Sequence, residues 1–127
     1  MNPPMPILGH LQLRIMHHIW RNGQSTVHDV HDALNAQPAA KQLAYTTVLT
    51  VMRNLGKKDF LDQKSDATRS HTFSPLVDAE AYKLEMVRQI RIHLFGGDVE
   101  RLLACIADDE GIEAAKRAQI HSLAGAG

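Results

Sequence analysis

In residues 44–61, AYTTVLTVMRNLGKKDFL, the apolar spacing switches from a helical period to an alternating one, and that switch restricts the fold more than any other feature. Projected at about 100° per residue, Val48, Val51, Met52 and Leu55 fall within one third of the circumference, while Thr46, Thr50, Arg53 and Lys57 gather opposite. The pattern predicts a helix over 45–57 with one face for a core. After Lys57 and Lys58, the stretch FLDQKSDATRSHTFSP reads as two short strands, 60–64 and 69–74, joined by a turn at 65–68 and closed by Pro75.

Two more helices precede this unit. Apolar residues at 8, 11, 15 and 19, and again at 13, 16 and 20, predict a helix over 8–20, stopped by Arg21-Asn22-Gly23. Thr26 is placed to cap the next helix, with Asp29 at its positive end and Val27, Val30 and Leu34 facing inward. Residues 37–42 contain a proline and no periodicity, which predicts a loop. Three helices followed by a hairpin describe a winged helix-turn-helix, in which the last helix enters the major groove and the hairpin flanks it.

Beyond Pro75 the chain reads as helical again, over 78–95, 98–107 and 110–123, with Gly96-Gly97 as a stop. The expected fold is therefore mostly α with a small β-hairpin: a winged helix over 1–75 and a helical dimerization region over 76–127. Three short amphipathic helices cannot bury their apolar stripes alone, so pairing with an identical chain is expected. The expected interface comprises Tyr82, Met86, Ile90, Leu94, Leu102, Leu103, Ile106 and Ile120.

Threonine loses rotamer freedom in a helix, so its repeated use beside Arg53 and Lys57 suggests close approach to a surface rich in acceptors. Nucleic acid is the first candidate. The formal net charge is zero, yet residues 1–75 hold eight Lys/Arg against five Asp/Glu, a surplus of three, and the remainder holds six against nine. Five of those eight cations lie between Arg53 and Arg69, which focuses positive potential on one segment. The alternative from another class is a winged helix whose threonine face docks a protein.

The combination of L-x-I-M-x-x-I-W at 13–20, VHDVHDAL, AYTTVLTVMRNLGKKDFL, the wing pattern Arg69-x-x-x-Phe73-x-Pro75 and the late LFGG resembles the penicillinase and methicillin-resistance repressors, the BlaI/MecI/CopY type. The resemblance spans about residues 8–123. It implies a dimeric winged-helix repressor on palindromic operators, with the recognition helix over 45–57 beginning at Tyr45. Carried onto this chain, Thr46, Thr47, Thr50 and Arg53 meet DNA, Arg53 being the candidate for a guanine. Lys57, Lys58 and Arg69 then bind the backbone. Asp59 and Thr68 stand where the family commonly has glycine. The antibiotic-responsive members are released by cleavage of an Asn-Phe bond; this chain has Ala104-Cys105 at that position, which leaves a sensor protease without its expected target.

Cys105, the single cysteine, excludes an intrachain disulfide and the CxC pairs of the copper-responsive branch. Between Leu102 and Ile106 it reads as a small inward-facing hydrophobe, the alternative being a redox or haem-ligating switch. His28 and His31 share a helical face beside Asp32, with His17-His18 as candidate neighbours; two ligands one turn apart are the alternative seat for zinc or another borderline metal, but without a clear third ligand they read as solvent-exposed, and no metal or other cofactor is expected. No phosphate-binding glycine loop, catalytic triad pattern or H-E-x-x-H occurs, so no enzyme activity is expected. No apolar run approaches the roughly 18 to 20 residues of a membrane span, and the N-terminal stretch MNPPMPILGH does not read as a secretion signal. A cytoplasmic protein is the expectation.

Overall fold

The computed structural model describes residues 5–38, 41–65 and 71–125. Its elements in chain order are α1 (His10–Asn22), β1 (Ser25–Thr26), α2 (Val27–Asn35), α3 (Tyr45–Lys57), β2 (Leu61–Ser65), β3 (His71–Pro75), α4 (Ala79–Leu94), α5 (Val99–Ala107) and α6 (Ala114–Leu123). The chain divides into two compact units, one ending at Tyr82 and one beginning at Lys83.

In the first unit, α1 opens with Gln12 folding back to accept the Gly9 N–H at 2.8 Å. It closes at Gly23, whose φ of 78° suits glycine and whose N–H reaches the Ile19 carbonyl at 2.7 Å. Helix α2 begins with a reciprocal cap: Thr26 Oγ1 accepts the Asp29 N–H at 3.1 Å, and the Asp29 carboxylate accepts the Thr26 N–H at 3.0 Å. Those two bonds hold the Asp29 carboxyl below its ordinary 3.8, with the Thr26 N–H as the largest cause.

The inward stripes of these helices form one core. Ile15, Met16 and Ile19 of α1, Val30 and Leu34 of α2, and Val48, Met52 and Leu55 of α3 are fully buried with Phe60, Leu61 and Phe73. Phe73 is the centre of a three-stranded antiparallel sheet of order β1-β3-β2, with Ser25 opposite it on one side and Gln63 on the other. The sequence reading anticipated two strands; the third, β1, is only two residues long and exists through its pairing with β3.

Tyr82 is buried rather than available to an interface. Its ring lies 5.7 Å from Trp20 and 5.8 Å from Phe60, and its hydroxyl accepts the Leu8 N–H at 3.0 Å. Helix α1 accordingly starts at His10 rather than at residue 8, because Leu8 is an extended plug in the core.

In the second unit α4 ends at Gly96 and Gly97, with φ of 60° and 87°. The Asp98 carboxylate then caps α5 by accepting the Glu100 and Arg101 N–H groups at 2.9 and 3.3 Å. Helix α6 begins at Ala114, four residues later than the sequence reading placed it, because Asp109 turns back to accept the Gly111 N–H at 2.9 Å. Helices α5 and α6 pack together, yet Ala107 is the only buried residue among the described residues 83–125.

Tyr82→Phe keeps the ring but leaves the buried Leu8 N–H without its acceptor. The expected cost is about 1–3 kcal/mol, read as a lower midpoint in urea unfolding with an unchanged slope; an unaltered midpoint would show that the bond contributes nothing.

Candidate nucleic-acid interface

Helix α3 carries the positions of interest because its two faces are sharply unequal. Val48, Met52 and Leu55 have no exposed surface, whereas Tyr45, Thr46, Thr47, Thr50, Arg53, Lys57 and Lys58 are exposed. Arg53, Lys57 and Lys58 form no ion pair among the described residues. Ala44 occupies the N-cap without a side-chain bond and no acid lies in the first turn, so the positive end of the helix is left uncompensated. Hydroxyls, unpaired cations and free N–H groups therefore share one outward surface, a set suited to phosphate oxygens and base edges.

Two local devices hold α3 in place. At its entry, Asn35 of α2 binds both backbone groups of Leu43: Oδ1 accepts the Leu43 N–H at 2.8 Å and Nδ2 donates to the Leu43 carbonyl at 3.0 Å. The His31 ring sits on the same carbonyl, with Nε2 at 2.9 Å, and its Nδ1 lies 3.1 Å from Asp32. At its exit, the Phe60 N–H reaches back to the Leu55 carbonyl at 3.0 Å and the Asp59 N–H to the Gly56 carbonyl at 3.1 Å. This is a Schellman closure with buried Phe60 and Leu55 as its apolar pair. Asp59 adopts a φ of 64°, the one positive value at a non-glycine among the described residues; the left-handed geometry is why glycine suits this place.

Of the residues singled out from sequence, Tyr45, Thr46, Thr47, Thr50, Arg53, Lys57 and Lys58 thus come together on and just after one helix, and Arg69 and Thr68 lie outside the described residues. Tyr82 belongs to the core instead. Cys105 is exposed, contrary to its inward reading: the apolar positions Val99 and Ile106 of α5 are exposed as well, and only Ala107 on this helix is buried. Among the described residues no three His, Cys, Asp or Glu side chains are grouped to hold a metal. His28 lies against Tyr45 with ring centroids 4.8 Å apart, while His31 is engaged by Asp32 and Leu43. Sequence reasoning missed the Asn35 clamp and a cleft beside α3 that includes His71; Asn35 has no periodic signature, and its partner is a backbone group in the loop.

A sequence profile of the family described as Penicillinase repressor matches residues 8–125. Over 70 residues the chain is 43% identical to the transcriptional regulator BlaI of Mycobacterium tuberculosis, an overlap covering 54% of this chain and 48% of that protein. The chain thus spans about half the length of the curated relatives it matches. Among solved structures, the DNA-binding domain of the repressor BlaI superposes with a TM-score of 0.52 at 22% identity, covering 65% of this chain and 94% of that one. Monomeric Bacillus licheniformis BlaI in complex with the blaP half-operator gives 0.50 at 22% identity, covering 61% and 90%. These likenesses agree with the three helices and small sheet in placing the fold among winged helices. With nearly all of the described chain inside the profile, the protein belongs to the penicillinase repressor family, a family of transcriptional repressors and not of enzymes.

Proposed function

We propose that this chain is a transcriptional repressor that binds double-stranded operator DNA as a homodimer, with residues 1–75 serving DNA binding and 76–127 dimerization. The observation that carries the reading is the outward face of α3, where Tyr45, Thr46, Thr47, Thr50 and Arg53 are exposed directly behind a fully buried stripe. A helix anchored in this way can enter the major groove without shifting. Arg53 is the base reader, suited to the paired acceptors of guanine. The threonine hydroxyls meet phosphates or base edges, and Lys57, Lys58 and Arg69 neutralise the backbone. The relative solved on a half-operator supports the choice of ligand.

The second unit supports the dimer. Leu84, Val87, Ile90 and Leu94 lie along one side of α4 and are exposed, Leu94 by 73%. Val99 and Ile106 on α5 are exposed as well. Such a set of apolar side chains on a single small unit marks a surface made to be covered. An identical copy supplies an identical stripe, and two-fold pairing buries both at once. The interface is assigned to Met86, Ile90, Leu94, Leu102, Leu103, Ile106 and Ile120, excluding Tyr82. A symmetric pair presents two α3 helices to half-sites about 10 base pairs apart, hence an operator with inverted repeats. No helix among the described residues is long and apolar enough to cross a membrane, and action on genomic DNA would place the protein in the cytoplasm.

Two measurements test the reading. In a fluorescence anisotropy titration against a duplex selected by the protein from random sequence, Arg53→Ala should cost about 1–3 kcal/mol and relax preference at one base position. Lys57→Ala should weaken all sequences alike and flatten the salt dependence by about one phosphate's worth. Absence of any sequence-preferring, salt-sensitive binding would favour a protein-docking face instead.

Sedimentation equilibrium should give twice the protomer mass for the wild type, and the protomer mass for Ile90→Asp/Leu94→Asp. A wild type that sediments as a single protomer at micromolar concentration would remove the dimer.

A further inference from the structure

Antiparallel pairing places Thr26 opposite Thr72, so the chain leaves β1 directly into α2 and the first turn of α2 stands beside the start of β3. The result is a cleft of about 310 Å³ flanking α3: Thr26 and His28 come from one side, His71 from β3, and Tyr45 and Arg53 from α3. Arg53 is cationic, both histidines can become so, and none of the lining residues is acidic. His28 and His71 are exposed, and neither side chain makes a hydrogen bond or ion pair among the described residues.

The charged and titratable neighbours are otherwise occupied. Asp29, the acid next to His28, is bound to the Thr26 N–H at 3.0 Å. His31, one turn further along α2, is held by Asp32 and the Leu43 carbonyl. Tyr45 packs its ring on His28 at 4.8 Å. His18 of α1 and His28 itself are both near enough to Asp29 to favour its ionised form. What remains facing the cleft is two imidazoles with no hydrogen bond among the described residues, one of them packed on Tyr45, beside a guanidinium without an ion pair.

We propose that this cleft seats a phosphate of the DNA backbone between His28 and His71, alongside the base-reading edge of Arg53. The inference rests on the operator-binding reading above and extends it from one helix to a site assembled by α2, α3 and β3. A phosphodiester carries a full negative charge and accepts hydrogen bonds. A protonated imidazole offers both a charge and a donor, and a neutral one offers at most the donor. The protonated ring is the better partner for a phosphate, so affinity should rise on acidification.

The test is a titration of the full chain against the same selected duplex, at fixed salt, from about pH 8 to about pH 5.5. The wild type is expected to tighten by about tenfold or more across that range. Its salt slope should steepen at the lower pH by about 0.9. His28→Gln/His71→Gln should reduce both changes to within about twofold of nothing, and His28→Lys should lose only the share of the pH dependence due to His28, because its charge persists while His71 is unchanged. His10→Gln, at the start of α1, serves as the control and should keep the wild-type profile. Thermal melts of each variant check folding. If the double glutamine variant binds DNA with the wild-type pH profile, the phosphate seat is wrong while operator binding stands. If the wild type prefers no sequence at any pH, operator binding fails and this site falls with it.

Discussion

The arrangement depends on the complete burial of one side of α3. Val48, Met52 and Leu55 have no exposed surface, and each such side chain gives about 1.5–3 kcal/mol on leaving water. With the inner stripe committed, rotation of the helix about its axis would bring these residues out and drive Thr50 and Arg53 in. The outward face is therefore set by what lies beneath it. The Asn35 clamp on Leu43 and the Schellman closure at Asp59 fix where that helix starts and stops, which leaves little freedom in register as well as in rotation.

Much of this was legible because α3 advertises itself. An uninterrupted 3.6-residue period with cations clustered at its end yields helix, buried face and outward face together. The same reasoning placed the Thr26 cap, since the residues involved are three positions apart. It was weaker wherever the deciding partner is distant. Strand β1 has two residues and no pattern of its own, so only its partner β3 defines it. Tyr82 fits the stripe of α4, yet its hydroxyl answers the N–H of Leu8, 74 positions away. The start of α6 was misplaced because Asp108-Asp109-Glu110 looks like a helix entrance, whereas Asp109 spends its carboxylate on a tight turn.

Within the site, the α3 contribution was readable and its supports were not. A side chain that binds a backbone group, as Asn35 does, leaves no trace in hydrophobic periodicity. The cleft with His28 and His71 likewise needs β1 beside β3 before its two histidines become neighbours, and that adjacency is a property of the sheet.

A unit that encloses little more than Ala107 has an energetic consequence of its own. If the pairing proposed above covers its exposed apolar residues, association supplies part of its cohesion, and mass action then ties the integrity of residues 83–125 to how many copies are present. Dilution loosens it; accumulation consolidates it. A repressor that pairs in the proposed way would respond steeply to its own abundance, so the amount of protein in the cell would be a control variable even before any signal arrives.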